Sequence, residues 1–144
     1  MEQFIEFAGN HPILSLVWVA LFLLLVSSWI KGRFSGVKQV SPSQLTLLVN
    51  RENATVVDTR TEDEFRKGHI TGAKYLPAAD IQKLQLDGLE KQKDEPIIVV
   101  CQAGVTAGKS AAVLIKQGFS RVFVLQGGMG SWTGANLPVV KAKR

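Results

Sequence analysis

The chain has 144 residues, of which 46% are hydrophobic and 20% charged, enough for one compact domain of ordinary size. Its one cysteine excludes an intramolecular disulfide. The net charge is +5, but the Lys and Arg side chains are scattered among acids rather than gathered in a stripe, so we predict no nucleic-acid partner.

The N-terminal part of the sequence predicts one membrane-spanning helix. Ile13 to Ile30 is a run of 18 residues without a charge. As a helix it is about 27 Å long, close to the ~30 Å hydrocarbon core of a bilayer. A cleaved signal peptide is one alternative, but Glu2 and Glu6 stand where such a peptide carries positive charge. A buried core helix is the other, but it would normally show a polar stripe, and only Ser15, Ser27 and Ser28 interrupt this run. We therefore predict, in chain order, an N-terminal tail over residues 1–12, a transmembrane helix over 13–30 and a juxtamembrane linker over 31–39.

The distribution of charge predicts the orientation of this single-pass protein. Residues 31–144 hold all 17 basic side chains and 10 acidic ones, a net charge of +7, whereas residues 1–30 carry −2. Positive charge after a span stays on the cytoplasmic side, so we expect a cytoplasmic C-terminal domain. A basic domain beside an apolar segment also suits a lipid bilayer partner or small anionic substrates.

Residues 40–144 predict helices that alternate with strands. Ser41 and Pro42 are typical of a helix start, and the wholly apolar run Pro96–Val100 is typical of a strand buried on both faces. The alternation indicates an α/β domain of three layers with a central parallel sheet. In chain order we expect a helix over 41–50, a strand over 54–58, a helix over 62–67, strands over 73–76 and 96–100, a helix over 107–117, a strand over 122–125 and a short helix around Trp132.

Cys101 is the candidate nucleophile. It follows a buried strand and precedes a loop with Gly104 and then a helix, which sets the thiolate where backbone N–H groups and a helix N-terminus converge. Such a setting lowers the pKa of a cysteine. Neither His11 nor His69 is placed as a general base, and a thiol ionised by its own loop needs none, which favours sulfur chemistry over a Cys–His hydrolase. A cysteine phosphatase would need Arg where this sequence has Ala107.

Several short motifs occur in order along the chain: Asp58-Thr-Arg60, Glu64-Phe65, Gly68-His69-Ile70, Gly72-Ala73, Leu76-Pro77, Cys101-x-x-Gly104-Val-Thr106, Gly127-Gly128 and Trp132. Together they resemble the ordered signature of the rhodanese family. The resemblance covers about Val40 to Val139 and implies a rhodanese-like three-layer fold preceded by one transmembrane helix. The whole chain resembles the membrane-anchored single-domain rhodanese-like proteins of bacteria, which implies the bacterial inner (plasma) membrane.

What the resemblance implies is a two-step sulfur transfer of the thiosulfate:cyanide type. Cys101 takes the outer sulfur of a small donor such as thiosulfate, becomes a persulfide, and passes the sulfur to a thiol or protein acceptor. The covalent persulfide is the intermediate, and neither a cofactor nor a metal is expected. Backbone N–H groups would cradle the persulfide, Thr106 would add a hydroxyl and Lys109 would contact an anionic donor. The loop residues concerned are Gln102, Ala103, Gly104, Val105 and Thr106.

The resemblance further implies that Asp58, Arg60 and Glu64 support the loop, with a salt bridge that we expect between Arg60 and Glu64. An alternative of another class is a protein-interaction or regulatory module at the membrane, whose partner would be a membrane protein. A redox sensor is a third reading, although the chain has no second cysteine to resolve an oxidised Cys101.

Overall fold

A computed structural model describes residues 1–33 and 37–142, with side chains described throughout except at residues 31–33. Contacts between residues divide the chain into two units, Met1–Gly36 and Val37–Arg144. Residues 34–36 of the predicted linker lie outside the described residues.

Within its described residues, 1–33, the N-terminal unit forms two helices, α1 (Glu2–Asn10) and α2 (Pro12–Arg33). Proline is tolerated at the start of α2 because its missing N–H would have no partner in the first turn. The stretch Pro12–Ile30 has a mean hydropathy of 2.5 and none of it is buried, so α2 is long and apolar enough to cross a membrane. The helix continues beyond residue 30 into the predicted linker, since one glycine, Gly32, costs a helix only about 1 kcal/mol.

In chain order, the elements of the C-terminal unit are β1 (Lys38–Val40), α3 (Pro42–Glu52), β2 (Thr55–Asp58), α4 (Glu62–Lys67), β3 (His69–Ile70), β4 (Lys74–Tyr75), α5 (Ala78–Gln82), a 3-10 helix (Leu89–Gln92), β5 (Ile97–Val100), α6 (Thr106–Lys116), β6 (Val122–Leu125), α7 (Gly128–Gly134) and β7 (Val139–Val140). Five of the strands form a parallel sheet in the order β1-β6-β5-β2-β4. A separate antiparallel pair joins β3 to β7.

Two hydrophobic clusters lie on opposite faces of this sheet and make three layers. Alternate residues of β5 point to opposite faces. Ile97 and Val99 join the cluster formed with α5 and α6, whereas Ile98 and Val100 join the cluster formed with α3 and α7. All four residues of β5 are buried, as a central strand between two helical layers requires. The predicted α/β fold with a central parallel sheet is therefore confirmed.

Several short elements were not predicted. The strand β1 lies where we expected a linker, and it is ordered by its parallel pairing with β6. The predicted strand over 73–76 is only Lys74–Tyr75, and α5 and the 3-10 helix occupy a stretch for which we predicted no element. These elements are two to five residues long, too short for a periodic pattern to reveal them.

Candidate active site

Cys101 directly follows β5 at the carboxyl edge of the sheet, and its side chain is recessed, with 3% of the residue exposed. Its Sγ accepts the N–H of Gly104 at 3.0 Å and the N–H of Ala107 at 3.4 Å. The N-cap residue of α6 is Val105, which offers no side-chain cap. Because the first N–H groups of a helix lack partners within the helix, the sulfur serves as the cap of α6. The predicted strand–loop–helix geometry around Cys101 is what the structure shows.

The loop lowers the pKa of Cys101 below its usual value. Burial alone raises the pKa of this thiol, because it disfavours the thiolate. Hydrogen bonds from the Thr106 hydroxyl and from the backbone N–H groups of Ala107, Gly104 and Ala103 stabilise the thiolate and outweigh the effect of burial. The positive end of α6 acts in the same sense. The hydrogen bonds of the loop therefore stabilise the thiolate form of Cys101 relative to a free cysteine.

The start of α7 packs directly beneath the loop. Met129 donates its N–H to the carbonyl of Cys101 at 2.9 Å, and Gly130 donates to that of Gln102 at 3.1 Å. A Cβ atom at Gly128 would overlap the Cys101 carbonyl oxygen and lie 2.8 Å from the Gln102 carbonyl carbon. Gly128 also has a φ of +59°, which glycine adopts at little cost. The sequence identified Gly127 and Gly128 as turn residues, but their contact with the Cys101 loop was not predicted.

Asp58 and Arg60 form a buried ion pair beside the loop. Asp58 ends β2, next to β5, and the exposed fractions of the Arg60 and Asp58 side chains are 7% and 1%. The guanidinium is bidentate: Nε lies 3.0 Å from Oδ1 and Nη2 lies 2.7 Å from Oδ2. Nη2 also donates to the Gly68 carbonyl at 2.7 Å, and Nη1 reaches the Gln102 amide oxygen at 3.4 Å. This chain of contacts links the end of β2 to the residue after Cys101.

The salt bridge predicted between Arg60 and Glu64 is wrong, because Arg60 pairs with Asp58 instead. The Glu64 carboxylate accepts the backbone N–H of Thr61 at 3.0 Å and its hydroxyl at 2.9 Å, which caps α4. The backbone hydrogen bond from Thr61 is the main cause of the lowered pKa of Glu64. The sequence does contain a signal for this contact, because Thr61-x-x-Glu64 is the pattern of a capping box.

The other predicted residues divide between the loop and its surroundings. Val105 is 76% exposed, and Gln102, Ala103 and Thr106 are exposed beside it. Lys109 lies exposed in α6, and within the described part of the chain its side chain forms no salt bridge or hydrogen bond. It is therefore not fixed toward Cys101.

His69 and Trp132 are structural. His69 is buried, its Nδ1 lies 2.8 Å from the Phe65 carbonyl oxygen, and its ring stacks on Phe65 with centroids 3.8 Å apart. Trp132 belongs to the core cluster and donates its indole N–H to the Pro138 carbonyl at 3.0 Å. Both rings are therefore held by contacts within the fold.

The structure thus places a cysteine whose pKa is lowered in a nest of backbone N–H groups, at the carboxyl end of a parallel strand. Residues 41–135 match the rhodanese-like domain family. The chain belongs to this family, which confirms the resemblance that the motifs indicated.

Individual relatives agree with this assignment. The chain is 43% identical over 143 residues to the uncharacterized protein YibN of Escherichia coli (strain K12), covering 99% of this chain and 100% of that protein. It is 34% identical over 98 residues to the thiosulfate sulfurtransferase GlpE of Pseudoalteromonas translucida, covering 68% of this chain and 90% of GlpE. A rhodanese-related protein of Thermoplasma volcanium has the same fold, with a TM-score of 0.61, 21% identity, and coverage of 72% of this chain and 97% of that one.

Proposed function

We propose that this protein is a sulfurtransferase that carries sulfur as a persulfide on Cys101. The observation that carries the proposal is the hydrogen bonding of Sγ by the N–H groups of Gly104 and Ala107, which favours the thiolate. A thiolate, not a thiol, is the nucleophile toward sulfur. Relatives such as GlpE, which are named thiosulfate sulfurtransferases, support a donor of the thiosulfate class.

In the first step, the Cys101 thiolate attacks the outer sulfur of thiosulfate. A bond forms between Sγ and that sulfur, the sulfur–sulfur bond of thiosulfate breaks, and sulfite leaves with the bonding electron pair. The product is a Cys101 persulfide whose outer sulfur carries the negative charge. The backbone N–H groups of residues 102–106 provide a positive environment for this charge, as the donors of an oxyanion hole do.

In the second step, a nucleophilic acceptor attacks the outer sulfur and the persulfide bond breaks. The Cys101 thiolate is the leaving group, so the hydrogen bonds from Gly104 and Ala107 that lower its pKa also make it leave more readily. One sulfur atom is exchanged between nucleophiles, and no external oxidant or reductant is consumed.

Substitution of the nucleophile tests the proposal. In full-length protein in detergent, Cys101→Ser should abolish thiosulfate:cyanide activity while circular dichroism remains unchanged. A matched control moves the thiol elsewhere: Cys101→Ser combined with Ser120→Cys restores an exposed thiol outside the loop and should remain inactive. Activity in Cys101→Ser would exclude Cys101 as the sulfur carrier.

We also propose that α2 anchors the domain to the bacterial inner membrane with residues 37–142 in the cytoplasm. Support comes from the hydropathy and the unburied surface of Pro12–Ile30, together with the acids before it and the bases after it. Protease added to spheroplasts should then spare a C-terminal tag and should digest it in inverted membrane vesicles. Digestion of the tag in intact spheroplasts would contradict the proposed orientation.

A second candidate function is that of an interaction module, and the exposed apolar side chain of Val105 on the loop favours it. Such a module would bind a membrane-protein partner without sulfur transfer. Crosslinking should then recover the partner equally well with Cys101→Ser. A partner captured only when the thiol is present supports sulfur delivery to a protein acceptor instead.

A further inference from the structure

The helix α1 has one apolar face and one polar face. At 3.6 residues per turn, its apolar side chains fall within about 160° of the helix circumference. The apolar residues are Phe4, Ile5, Phe7 and Ala8, and the remaining arc carries Glu2, Gln3, Glu6, Gly9 and Asn10. This separation is typical of an amphipathic helix, which needs two different surroundings on its two sides.

The apolar face of α1 is uncovered in the part of the chain that the structure describes. No residue of this helix is buried, and the exposed fractions of Phe4, Ile5 and Phe7 are 83%, 73% and 53%. The Phe7 ring contacts the ring of His11, with centroids 5.3 Å apart, and the rest of the face stays open. A helix of nine residues is also only marginally stable by itself in water. An apolar surface against this face would therefore stabilise α1.

The spanning stretch that follows leaves no room for α1 in the hydrocarbon core. Pro12–Ile30 has 19 residues, which is about 28 Å of helix and close to the ~30 Å thickness of the core. Proline disfavours helical backbone at the residue before it, and His11 has a φ of −135° and a ψ of 64°. The helix is thus interrupted at His11, and α1 begins where the core ends.

The continuity with α2 brings lipid headgroups next to the apolar face. A single residue, His11, separates the two helices. An amphipathic helix at this depth can lie in the plane of the bilayer, with its apolar side chains roughly 5–10 Å into the boundary between headgroups and acyl chains. Its polar face then leaves Glu2 and Glu6 in water, so neither carboxylate has to be desolvated.

We propose that α1 lies flat in the interface of the periplasmic leaflet, with Phe4, Ile5 and Phe7 toward the acyl chains and Glu2 and Glu6 toward water. The partner of this face is the lipid surface. The inference rests on the proposed anchor and its proposed orientation, and it does not depend on sulfur transfer. Such a helix fixes the outer end of α2 at one depth, so the span cannot slide toward the cytoplasm.

Spin labels on the full-length protein test this placement. Cys101 is the one cysteine of the chain, so Cys101→Ser provides a background without thiols. In this background Phe4→Cys, Glu6→Cys, Ala8→Cys and Asn10→Cys each receive a nitroxide, in vesicles of phosphatidylethanolamine and phosphatidylglycerol. Collisions with oxygen, which concentrates in lipid, and with a water-soluble nickel chelate report the surroundings of each label.

The ratio of oxygen collisions to nickel collisions should follow the helix face. We expect it to be severalfold higher at positions 4 and 8 than at positions 6 and 10. A helix that projects into water would instead give a ratio that rises steadily toward Pro12, so that Asn10 exceeds Ala8, and this result would overturn the proposal. A label at position 4 that is shielded from both reagents would also overturn it, because protein rather than lipid would then cover the face.

Two charge substitutions provide a matched comparison. With the label at position 4, Phe7→Asp should lower the ratio severalfold, because it places a carboxylate on the apolar face. Asn10→Asp adds the same charge to the polar face and should leave the ratio unchanged. Equal effects of the two substitutions would contradict the burial of one face in lipid.

A label within the span separates this inference from the anchor on which it rests. Leu23 lies near the middle of Pro12–Ile30, so a label at Leu23→Cys should collide with oxygen more often than any label on α1. If it does and the labels on α1 show no alternation, the anchor stands and the interfacial helix is refuted. If the label at position 23 collides mainly with the nickel chelate, the anchor fails and this inference fails with it.

Discussion

The contact between Gly128 and the Cys101 loop leads to a sharp prediction for Gly128→Ala. The new Cβ would overlap the Cys101 carbonyl oxygen and lie 2.8 Å from Gln102 backbone atoms, none of which can move aside as a flexible side chain would. The φ of +59° adds strain for any residue other than glycine. We therefore expect the loop and the first turn of α7 to separate.

The expected cost follows from these contacts. Left-handed backbone costs an L-residue roughly 1–2 kcal/mol. Separation also weakens the hydrogen bonds from Met129 and Gly130 to the loop carbonyls, each of which contributes about 0.5–1.5 kcal/mol. The sum is a loss of about 2–5 kcal/mol in the free energy of unfolding, measured by urea denaturation of the full-length protein. Thiosulfate:cyanide activity should fall as well, because the nest around Cys101 is displaced.

The same substitution at Gly108 is the matched control. A Cβ there meets nothing within 4 Å, and the residue lies inside α6. In a helix interior, alanine is more stabilising than glycine by roughly 0.5–1 kcal/mol, so Gly108→Ala should raise the free energy of unfolding slightly. If Gly128→Ala were as stable as Gly108→Ala and kept full activity, the proposed support of the loop by α7 would be refuted.

Two further predictions concern the groups around the nucleophile. Arg60→Met leaves the buried Asp58 carboxylate unpaired and should lower the free energy of unfolding by about 3–5 kcal/mol. The control is Arg66→Met, which removes an exposed ion pair with Glu62 and should change the free energy of unfolding by less than about 1 kcal/mol in the same urea titration. If the two variants lost equal stability, burial would not be the reason for the importance of Arg60. Thr106→Val should raise the pKa of Cys101, because it removes a hydrogen bond to the thiolate. The alkylation rate by iodoacetamide should then reach its half-maximum at a higher pH than in the wild type, whereas an unchanged midpoint would show that the hydroxyl does not act on the sulfur.

The longer elements of the C-terminal unit were predictable because local chemistry determines them. Ser41 and Gln44 form the capping box that starts α3, and the predicted strand Val122–Leu125 has the same bounds in the structure. Sequence also identified Cys101 and the loop from the order of apolar strand, cysteine, glycine and helix. These features depend on residues that are close together in the chain, which is why the sequence pattern predicts them.

The features that were missed depend on tertiary contact. Arg60 binds Asp58 rather than Glu64 because Asp58 is buried at the end of β2, whereas the Glu64 carboxylate already caps α4. The sequence shows a pair of glycines after β6, but only the fold brings Gly128 against the carbonyl of Cys101. Likewise β1 has three residues and no pattern of its own, and it exists through its pairing with β6.

The most direct test of the central claim is the intact mass of the full-length protein after brief incubation with thiosulfate. The account predicts a mass increase of one sulfur atom, mapped to Cys101, lost when cyanide is added and absent from Cys101→Ser. A protein that gains no sulfur while Cys101 remains reactive toward iodoacetamide would contradict the claim that this thiol accepts sulfur from thiosulfate.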